Sequence, residues 1–223
     1  MRRFFAHDLT SDRVELDKDS SHHLLRVTGI APGESVELVD GKGGHAEARL
    51  LASERGRAIL EVSRRLPSIP RTENTVLVVG LLRAAVFDQV IRQATELGVD
   101  RIIPVRAMRS VAREEKRDRW ERVARAALIQ SGRSLLPIID GLTDLKTVME
   151  RIDCGLRRIV LSPGGTLIPA RGGGVVIFVG PEGGWSPDEL VWLEQNGVNR
   201  YGLGALTLRA ETATIAALAR VLD

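Results

Sequence analysis

The stretch Val175-Val176-Ile177-Phe178-Val179-Gly180-Pro181-Glu182-Gly183-Gly184-Trp185-Ser186-Pro187-Asp188-Glu189-Leu190 decides the fold class. Its five leading residues are apolar and mostly β-branched, which predicts a buried strand. A Gly-Pro-Glu-Gly-Gly loop follows at once. Ser186 then opens a helix as its N-cap, Pro187 suits the first helical position, and Glu189 completes a capping box. Strand, glycine loop and helix are how α/β proteins bring backbone close to a ligand. The loop holds an acid and no Lys or Arg. A phosphate is therefore a poor occupant, and a neutral or cationic ligand a better one.

A second such site is Tyr201-Gly202-Leu203-Gly204-Ala205-Leu206-Thr207-Leu208-Arg209-Ala210-Glu211-Thr212-Ala213-Thr214. It also follows a strand, predicted over Asn199–Leu203, and enters a helix predicted over Ala210–Leu222. From Ala213 on, that helix is nearly all Ala, Leu, Ile and Val, which predicts burial on most sides. Arg209, Glu211 and Thr212 stand at its mouth. They read either as a ligand-handling group or as an Arg209–Glu211 pair with an acid at a helix N-terminus. Ligands of open parallel sheets bind outside the carboxyl ends of the strands, where both loops fall.

Outward from these loops, strands are predicted over Val76–Leu82, Arg101–Val105, Pro137–Ile139 and Arg157–Leu161. Helices are predicted over Phe87–Leu97, Lys116–Ser131 and Thr143–Ile152, the second burying Trp120, Val123, Ala127 and Leu128. Ser162–Gly165 and Arg171–Gly174 bracket a loop. Alternation at this spacing implies a parallel sheet covered on both faces. The first 70 residues differ. Short alternating segments at Arg3–Ala6, Ser35–Asp40, His45–Leu50 and Arg57–Val62, with an Asp40–Gly44 turn, predict a small β-barrel. One short helix over Ser20–Val27 interrupts it, and Leu66–Arg71 is a proline-punctuated linker.

At 43% hydrophobic and 27% charged, the chain has the composition of a soluble globular protein. No apolar run spans a bilayer, and the N-terminus lacks a signal-peptide core, so a cytoplasmic location is expected. The single cysteine, Cys154, excludes an internal disulfide and a cysteine-rich zinc site. His7, His22, His23 and His45 show no ligand spacing, and no metal is expected. There is no G-x-S-x-G elbow, P-loop lysine or G-x-G-x-x-G fingerprint. Residues 71–135 hold 13 Lys+Arg against 8 Asp+Glu, a net +5, while residues 136–223 hold 8 against 10. The middle third is thus the face expected to meet a polyanion.

Together, Gly180–Gly184 with its helix start, Leu203-Gly204 and Leu208-Arg209-Ala210-Glu211-Thr212-Ala213 resemble the RsmE family of SPOUT-class methyltransferases. Weaker matches run through Arg3-Phe4-Phe5, His23–Val27, Ala94–Val99, Gln130–Arg133 and Pro137, so the resemblance covers nearly the whole chain. It implies S-adenosylmethionine-dependent methylation of uridine N3 in the 16S RNA of the small ribosomal subunit. It implies a PUA-like RNA-binding barrel over 1–70 and, over 73–223, a parallel sheet with a C-terminal trefoil knot. It further implies a homodimer with each site near the subunit interface.

The cofactor would be held by Leu161, Ser162 and Pro163, by Gly180, Pro181, Glu182, Gly183 and Gly184, and by Leu203, Gly204, Leu206, Leu208, Ala210, Thr212 and Ala213. Arg209 would orient the uridine or stabilise its N3 anion. Glu182 and Glu211 would take the proton or hold Arg209. Arg3, Arg26, Arg83, Arg109 and Arg133 would contact RNA. The sequence departs from the family at Ala84-Ala85-Val86, where Gly-Asp-Lys is usual, at Ile129 for Glu, and at Val27-Thr28-Gly29 for Val-Leu-Arg. A non-catalytic RNA-binding protein on the same fold, or a methyltransferase for another base, fits the residues too.

Overall fold

The computed structural model describes residues 2–69, 74–112, 114–169 and 173–222. Its strands are β1 (Arg3–Phe5), β2 (Arg13–Glu15), β3 (Ser35–Val39), β4 (His45–Glu54), β5 (Arg57–Leu66), β6 (Thr75–Gly80), β7 (Arg101–Val105), β8 (Ile138–Ile139), β9 (Arg157–Leu161), β10 (Val175–Val179) and β11 (Asn199–Tyr201). Its helices are α1 (Lys18–His22), α2 (Ala84–Leu97), α3 (Arg117–Ser131), α4 (Leu145–Arg151), α5 (Pro187–Gln195) and α6 (Ala210–Leu222). They form two units, Met1–Arg71 with Arg125–Leu136, and Thr72–Ala124 with Pro137–Asp223.

In the first unit five strands pair in the order β1-β3-β4-β5-β2. Only β1 and β3 run parallel. Alternate residues of every strand face one core, Val36 and Leu38 from β3, Ala46, Ala48 and Leu50 from β4, Ala58 and Leu60 from β5. Phe4 and Val14, from the two edge strands, enter the same core. The sheet therefore wraps around it as a small barrel does. The Asp17 side chain caps α1 by accepting the Ser20 N–H at 2.7 Å. The chain then continues through one π turn, His23–Val27, which buries Leu24. The expected single helix over Ser20–Val27 is thus two pieces of different pitch. Arg125–Leu136 completes the unit, with Leu128, Ile129 and Leu136 packing on Phe5 and Val39. Gly43 N–H donates to the Ser134 carbonyl at 2.9 Å, and Leu136 N–H to that of Gly41 at 2.9 Å.

The second unit is a six-stranded sheet in the order β11-β9-β10-β6-β7-β8, with every pairing parallel. The central strands β6 and β10 are buried at every residue, as expected of strands covered on both faces. Val76, Val78, Ile103, Val176 and Phe178 pack with Val148 and Ile152 near α4 and Leu193 of α5 on one face. Helices α2 and α6 lie side by side, α6 touching β10. Strands Arg157–Leu161 and Val175–Val179 and helix Ala210–Leu222 stand at the expected residues. Helix α2 starts at Ala84 rather than Phe87. On α3, Ala124 is buried and Val123 only half-buried. Pro70, Arg71, Arg171 and Gly172, read as linker and loop residues, lie outside the described residues, as does the expected domain start at 73.

Burial of α6 on most sides is not what the structure has. Ala210, Thr214, Ala217, Leu218 and Val221 form one buried face. Ile215, Ala216 and Ala219 are half-buried and Leu222 is exposed. The largely apolar composition from Ala213 on therefore reflects half-buried apolar residues outside the buried face as well as those within it.

Candidate functional site

A cleft of about 310 Å3 opens at the carboxyl edge of the second sheet. Three segments line it. Leu161 ends β9 and Ser162 and Pro163 follow it, Val179 to Trp185 end β10 and form the glycine loop, and Gly202–Gly204 with Leu206–Leu208 follow β11. Ala210 and Ala213 of α6, Leu190 of α5 and Arg109 complete the wall. Arg109 and Glu182 are the charged residues of that lining. The other polar side chains of the lining are Ser162 and Thr207, and five glycines of the wall bring backbone amides and carbonyls to the cleft.

The glycine loop is tied down on three sides. The Ser186–Glu189 capping box forms as expected, with Glu189 N–H to Ser186 Oγ at 3.1 Å and Ser186 N–H to Glu189 Oε2 at 2.7 Å. Glu189 Oε1 also accepts the backbone N–H of Met108 at 2.8 Å. In return, Arg109 Nη1 donates to the carbonyls of Gly183 at 3.1 Å and Trp185 at 3.3 Å. Glu182 Oε1 accepts the backbone N–H of Arg83 at 3.0 Å. Arg83 is the N-cap of α2 and offers no side-chain cap of its own, so Glu182 serves that helix end from another loop. A Cβ at Gly180 would stand 2.8 Å from Trp185 N, so the loop is folded tightly on itself.

The loop after β9 crosses the end of β11. Ser162 N–H donates to the Tyr201 carbonyl at 2.9 Å, Gly202 N–H to that of Thr166 at 2.8 Å, and Ile168 N–H to that of Gly202 at 3.3 Å. The Arg220 guanidinium of α6 holds the Ile168 carbonyl. At the crossing a Cβ on Gly165 would lie 2.6 Å from Tyr201 C, and one on Gly202 would lie 2.5 Å from Gly165 O. Two backbones meet here with no room for side chains.

All the residues expected at the cofactor line this one cleft except Thr212, which is exposed on α6. Arg209 is exposed beside the cleft rather than in its lining, and Glu211 is half-buried in the first turn of α6. No ion pair joins Arg209 to Glu211 or Glu182 among the described residues. Glu182 holds Arg83 instead of Arg209.

The arginines read as RNA contacts divide. Arg26 and Arg83 are exposed, and Arg133 is half-buried. Arg3 is a structural cation of the first unit, 2.6 Å from Glu37 and donating to the Ile129 carbonyl at 3.3 Å. Arg109 is engaged by the glycine loop. Where the family carries Glu, Ile129 joins the apolar cluster of Phe5 and Leu128. Val86, standing for the family Lys, sits half-buried in the first turn of α2. The sequence reading did not include Trp185, Leu190, Gly202 or Thr207 in the ligand wall. Trp185, 5% exposed, packs in the core and lines the cleft as well.

Residues 70–222 match the model of a family described as an RNA methyltransferase domain, and residues 16–63 match an RNA methyltransferase PUA domain. A Mycobacterium bovis protein named ribosomal RNA small subunit methyltransferase E is 32% identical over 221 residues, covering 92% of this chain and 84% of that one. The chain belongs to the ribosomal RNA small subunit methyltransferase E family. A Bacillus subtilis protein of the same name is 26% identical, with 99% of this chain and 96% of that one covered. The crystal structure of a ribosomal RNA small subunit methyltransferase E from Neisseria gonorrhoeae, bound to S-adenosyl methionine, superposes with a TM-score of 0.88 at 29% identity, covering 98% and 95% of the two chains. The fold is accordingly that of a SPOUT methyltransferase carrying a small N-terminal PUA domain.

Proposed function

We propose that this chain transfers a methyl group from S-adenosylmethionine to N3 of a uridine in 16S ribosomal RNA. The observation that carries the reading is the convergence of three backbone-rich loops on one cleft whose lining has a single carboxylate and a single guanidinium, both already engaged by backbone groups. Its volume falls at the small end of ligand sites, about 300–1,000 Å3. Such a wall suits a cofactor with an uncharged adenosine, an amino-acid end and a cationic sulfur better than a phosphate, since its one cation is already engaged and a carboxylate stands in the same loop. Leu161–Pro163, the glycine loop and Leu203–Ala213 would hold it. When bound, S-adenosylmethionine supplies a methyl group on a sulfonium centre.

The residues around the cleft position the acceptor. Gly180 to Trp185, tied to Arg83, Met108 and Arg109, present a fixed wall, and positioning supplies much of the acceleration of an in-line displacement. Arg209 orients the uridine by donating to the carbonyl oxygens that flank N3, and it stabilises negative charge as the N3 proton leaves. Glu182 already accepts the Arg83 N–H, so the reading gives it a scaffold role and leaves Glu211 as the acceptor of the N3 proton. The base must be unstacked to reach the cleft. The barrel of residues 1–70 and Arg26, Arg83 and Arg133 contact the RNA.

Two architectural readings accompany this one. The crossing of 162–168 over 201–202, with α6 bonded to it, supports a trefoil knot around the cofactor. The half-buried apolar residues of α6 outside its buried face support a homodimer built on it. No helix among the described residues is long and apolar enough to cross a membrane, and a ribosomal substrate supports a cytoplasmic location. The deciding experiment is mass spectrometry of ribosomal RNA nucleosides from a strain lacking the gene. 3-Methyluridine should disappear from 16S RNA and return on complementation. An unchanged level overturns the assignment.

A further inference from the structure

The three walls of the cofactor cleft are held unequally. The glycine loop is tied through Glu182, Glu189 and Arg109, and the loop after β9 by its crossing with β11 and by Arg220. The third wall is residues 203–208, of which Leu203, Gly204, Leu206, Thr207 and Leu208 line the cleft. Among the described residues, none of 203–208 makes a hydrogen bond by backbone or side chain. The two ends of this segment are fixed. Gly202 donates its N–H to the Thr166 carbonyl at 2.8 Å and accepts the Ile168 N–H at 3.3 Å, while the Arg209 carbonyl accepts the Ala213 N–H at 2.8 Å as α6 begins. Next to the first anchor, Gly204 has φ +123° and nothing within 4 Å of the place a Cβ would take, so the chain can turn there. Residues 204–207 are all exposed. At 80%, Leu206 is the most exposed large apolar side chain among the described residues, and yet it lines the cleft.

We propose that residues 203–208 are a strap that closes on the bound cofactor and carries Leu206 out of water onto it; the proposal rests on the S-adenosylmethionine reading above. Two forces act in that direction. Apolar surface held in water is unfavourable, and covering Leu206 with the ligand removes it. A ligand in the cleft also displaces the water that pairs with the strap's backbone, and an N–H or C=O taken from water must find a new partner. The cofactor's polar groups supply those partners. Because both ends of the strap are anchored, closure orders only a few residues and its entropic cost is small. Closed in this way, the strap shuts water out of the site, as substrate-induced lids do. The strap carries no charged residue, so it does not distinguish a sulfonium from a neutral sulfur. S-adenosylhomocysteine, which keeps the adenosine and the amino-acid end after the methyl group has left, holds it closed as S-adenosylmethionine does. Opening of the strap is therefore a step in product release.

Hydrogen exchange of the backbone amides, followed by NMR on the full chain, reads the strap directly. Without cofactor, the amides of 203–208 should exchange as fast as those of an unstructured chain, while Gly184 and Gly202, bonded to Pro181 and Thr166, stay protected. Saturating S-adenosylmethionine should slow the strap amides about tenfold or more, and S-adenosylhomocysteine should do the same. Leu206→Ala should melt within about 1 °C of the parent when no cofactor is present, since the side chain is mostly in water. The same variant should release S-adenosylmethionine about tenfold faster, having lost much of the leucine's apolar contact. A leucine with a merely structural role would move the cofactor-free melt instead. Strap amides that ignore a cofactor shown by calorimetry to be bound overturn the proposal. So do strap amides already protected before cofactor is added, as they would be beneath a second copy of the chain, and so does an unchanged release rate in Leu206→Ala. Absence of any calorimetric signal with S-adenosylmethionine overturns the underlying reading instead.

Discussion

Glu182 Oε1 lies 3.0 Å from the backbone nitrogen of Arg83, 99 residues away in sequence, and accepts its hydrogen bond at the N-terminus of α2. The acid of the glycine loop thus works as a helix cap delivered by a different strand-end loop. A glutamine keeps the accepting oxygen and loses only the charge. Glu182→Gln should therefore keep kcat and cofactor affinity within about threefold, whereas loss of a general base or acid costs about 10²–10⁴-fold. Glu182→Ala, which removes the acceptor, should lower stability by about 1 kcal/mol, the worth of a helix cap. Single-turnover methylation and thermal melts of the two variants check this. A hundredfold slower chemical step in Glu182→Gln would show the carboxylate taking the proton.

Arg209 presents the opposite case, an exposed cation at the mouth of a helix with no ion-pair partner among the described residues. Its backbone carbonyl accepts the Ala213 N–H at 2.8 Å, a bond that an alanine keeps. Arg209→Ala should melt within about 1 °C of the parent, since surface changes cost little, and should bind S-adenosylmethionine normally. Its kcat should fall about 10²–10³-fold, the cost of removing one donor aimed at a developing negative charge. Calorimetric titration beside turnover separates the two effects. Near-normal turnover with cofactor bound removes Arg209 from the mechanism.

The strand-loop-helix units were legible because their signals are local. The β-branched run Val175–Val179 and the Ser186–Glu189 box define their elements with residues a few positions apart. Helix α2 was read three residues late because Arg83 provides no side-chain cap and the group that does lies on the glycine loop. Strand β2 was missed because it is three residues long with only Val14 buried, and pairing with Glu61–Ile59 makes it a strand. Arg109 read as a surface cation for RNA. Its carbonyl partners lie 74 and 76 residues away, and no spacing rule announces that contact. In each case the missing information is tertiary.

The crossing at Gly165 and Gly202 allows a sharper test of the fold. A methyl group on Gly165 would approach Tyr201 C to 2.6 Å and Gly202 N to 2.7 Å. Both are backbone atoms, which cannot turn aside as a side chain can. Gly165→Ala should destabilise by about 1–3 kcal/mol, the range of overpacked sites, and should weaken cofactor binding because the Ser162–Pro163 wall moves with it. Gly164→Ala meets no neighbouring atom, yet Gly164 has φ +75°, so its cost is confined to the backbone. Denaturant melts of both variants with and without S-adenosylmethionine compare them. Equal cofactor affinity in Gly165→Ala and the parent would mean that the crossing does not shape the site.

Asp144 ties stability to pH at the start of α4. It accepts the Thr147 backbone N–H at 2.9 Å and the Thr147 hydroxyl at 3.0 Å, and these bonds hold its carboxyl below its ordinary 3.8. A depressed folded value means that the unfolded chain takes up the proton more readily, so the stabilisation is full above the unfolded value and is lost as pH falls through the folded one. Asp144→Ala should therefore melt below the parent at pH 7, and the gap should close as the pH falls well below 4. Paired melts across that range decide it. A gap that stays constant would assign the effect to lost packing rather than to the carboxylate.

Arg109 and Glu189 brace the glycine loop from opposite sides, one by donating to its carbonyls and the other by accepting the Met108 N–H next door. Each bond spans the gap between the segment after β7 and the loop after β10, so both act on the same relative placement. Removing either should loosen the wall without touching the acceptor base. Arg109→Ala should weaken S-adenosylmethionine binding about tenfold, equivalent to about 1.4 kcal/mol, and lower kcat at saturating cofactor by less than threefold. Arg109→Lys has one compact ammonium in place of a fork and should recover only part of the affinity. Because both residues hold one contact, Arg109→Ala combined with Glu189→Ala should cost clearly less than the sum of the two. Calorimetric titrations of the four proteins measure the coupling. Strict additivity would separate the two braces, and a defect in kcat alone would return Arg109 to the RNA side of the reaction.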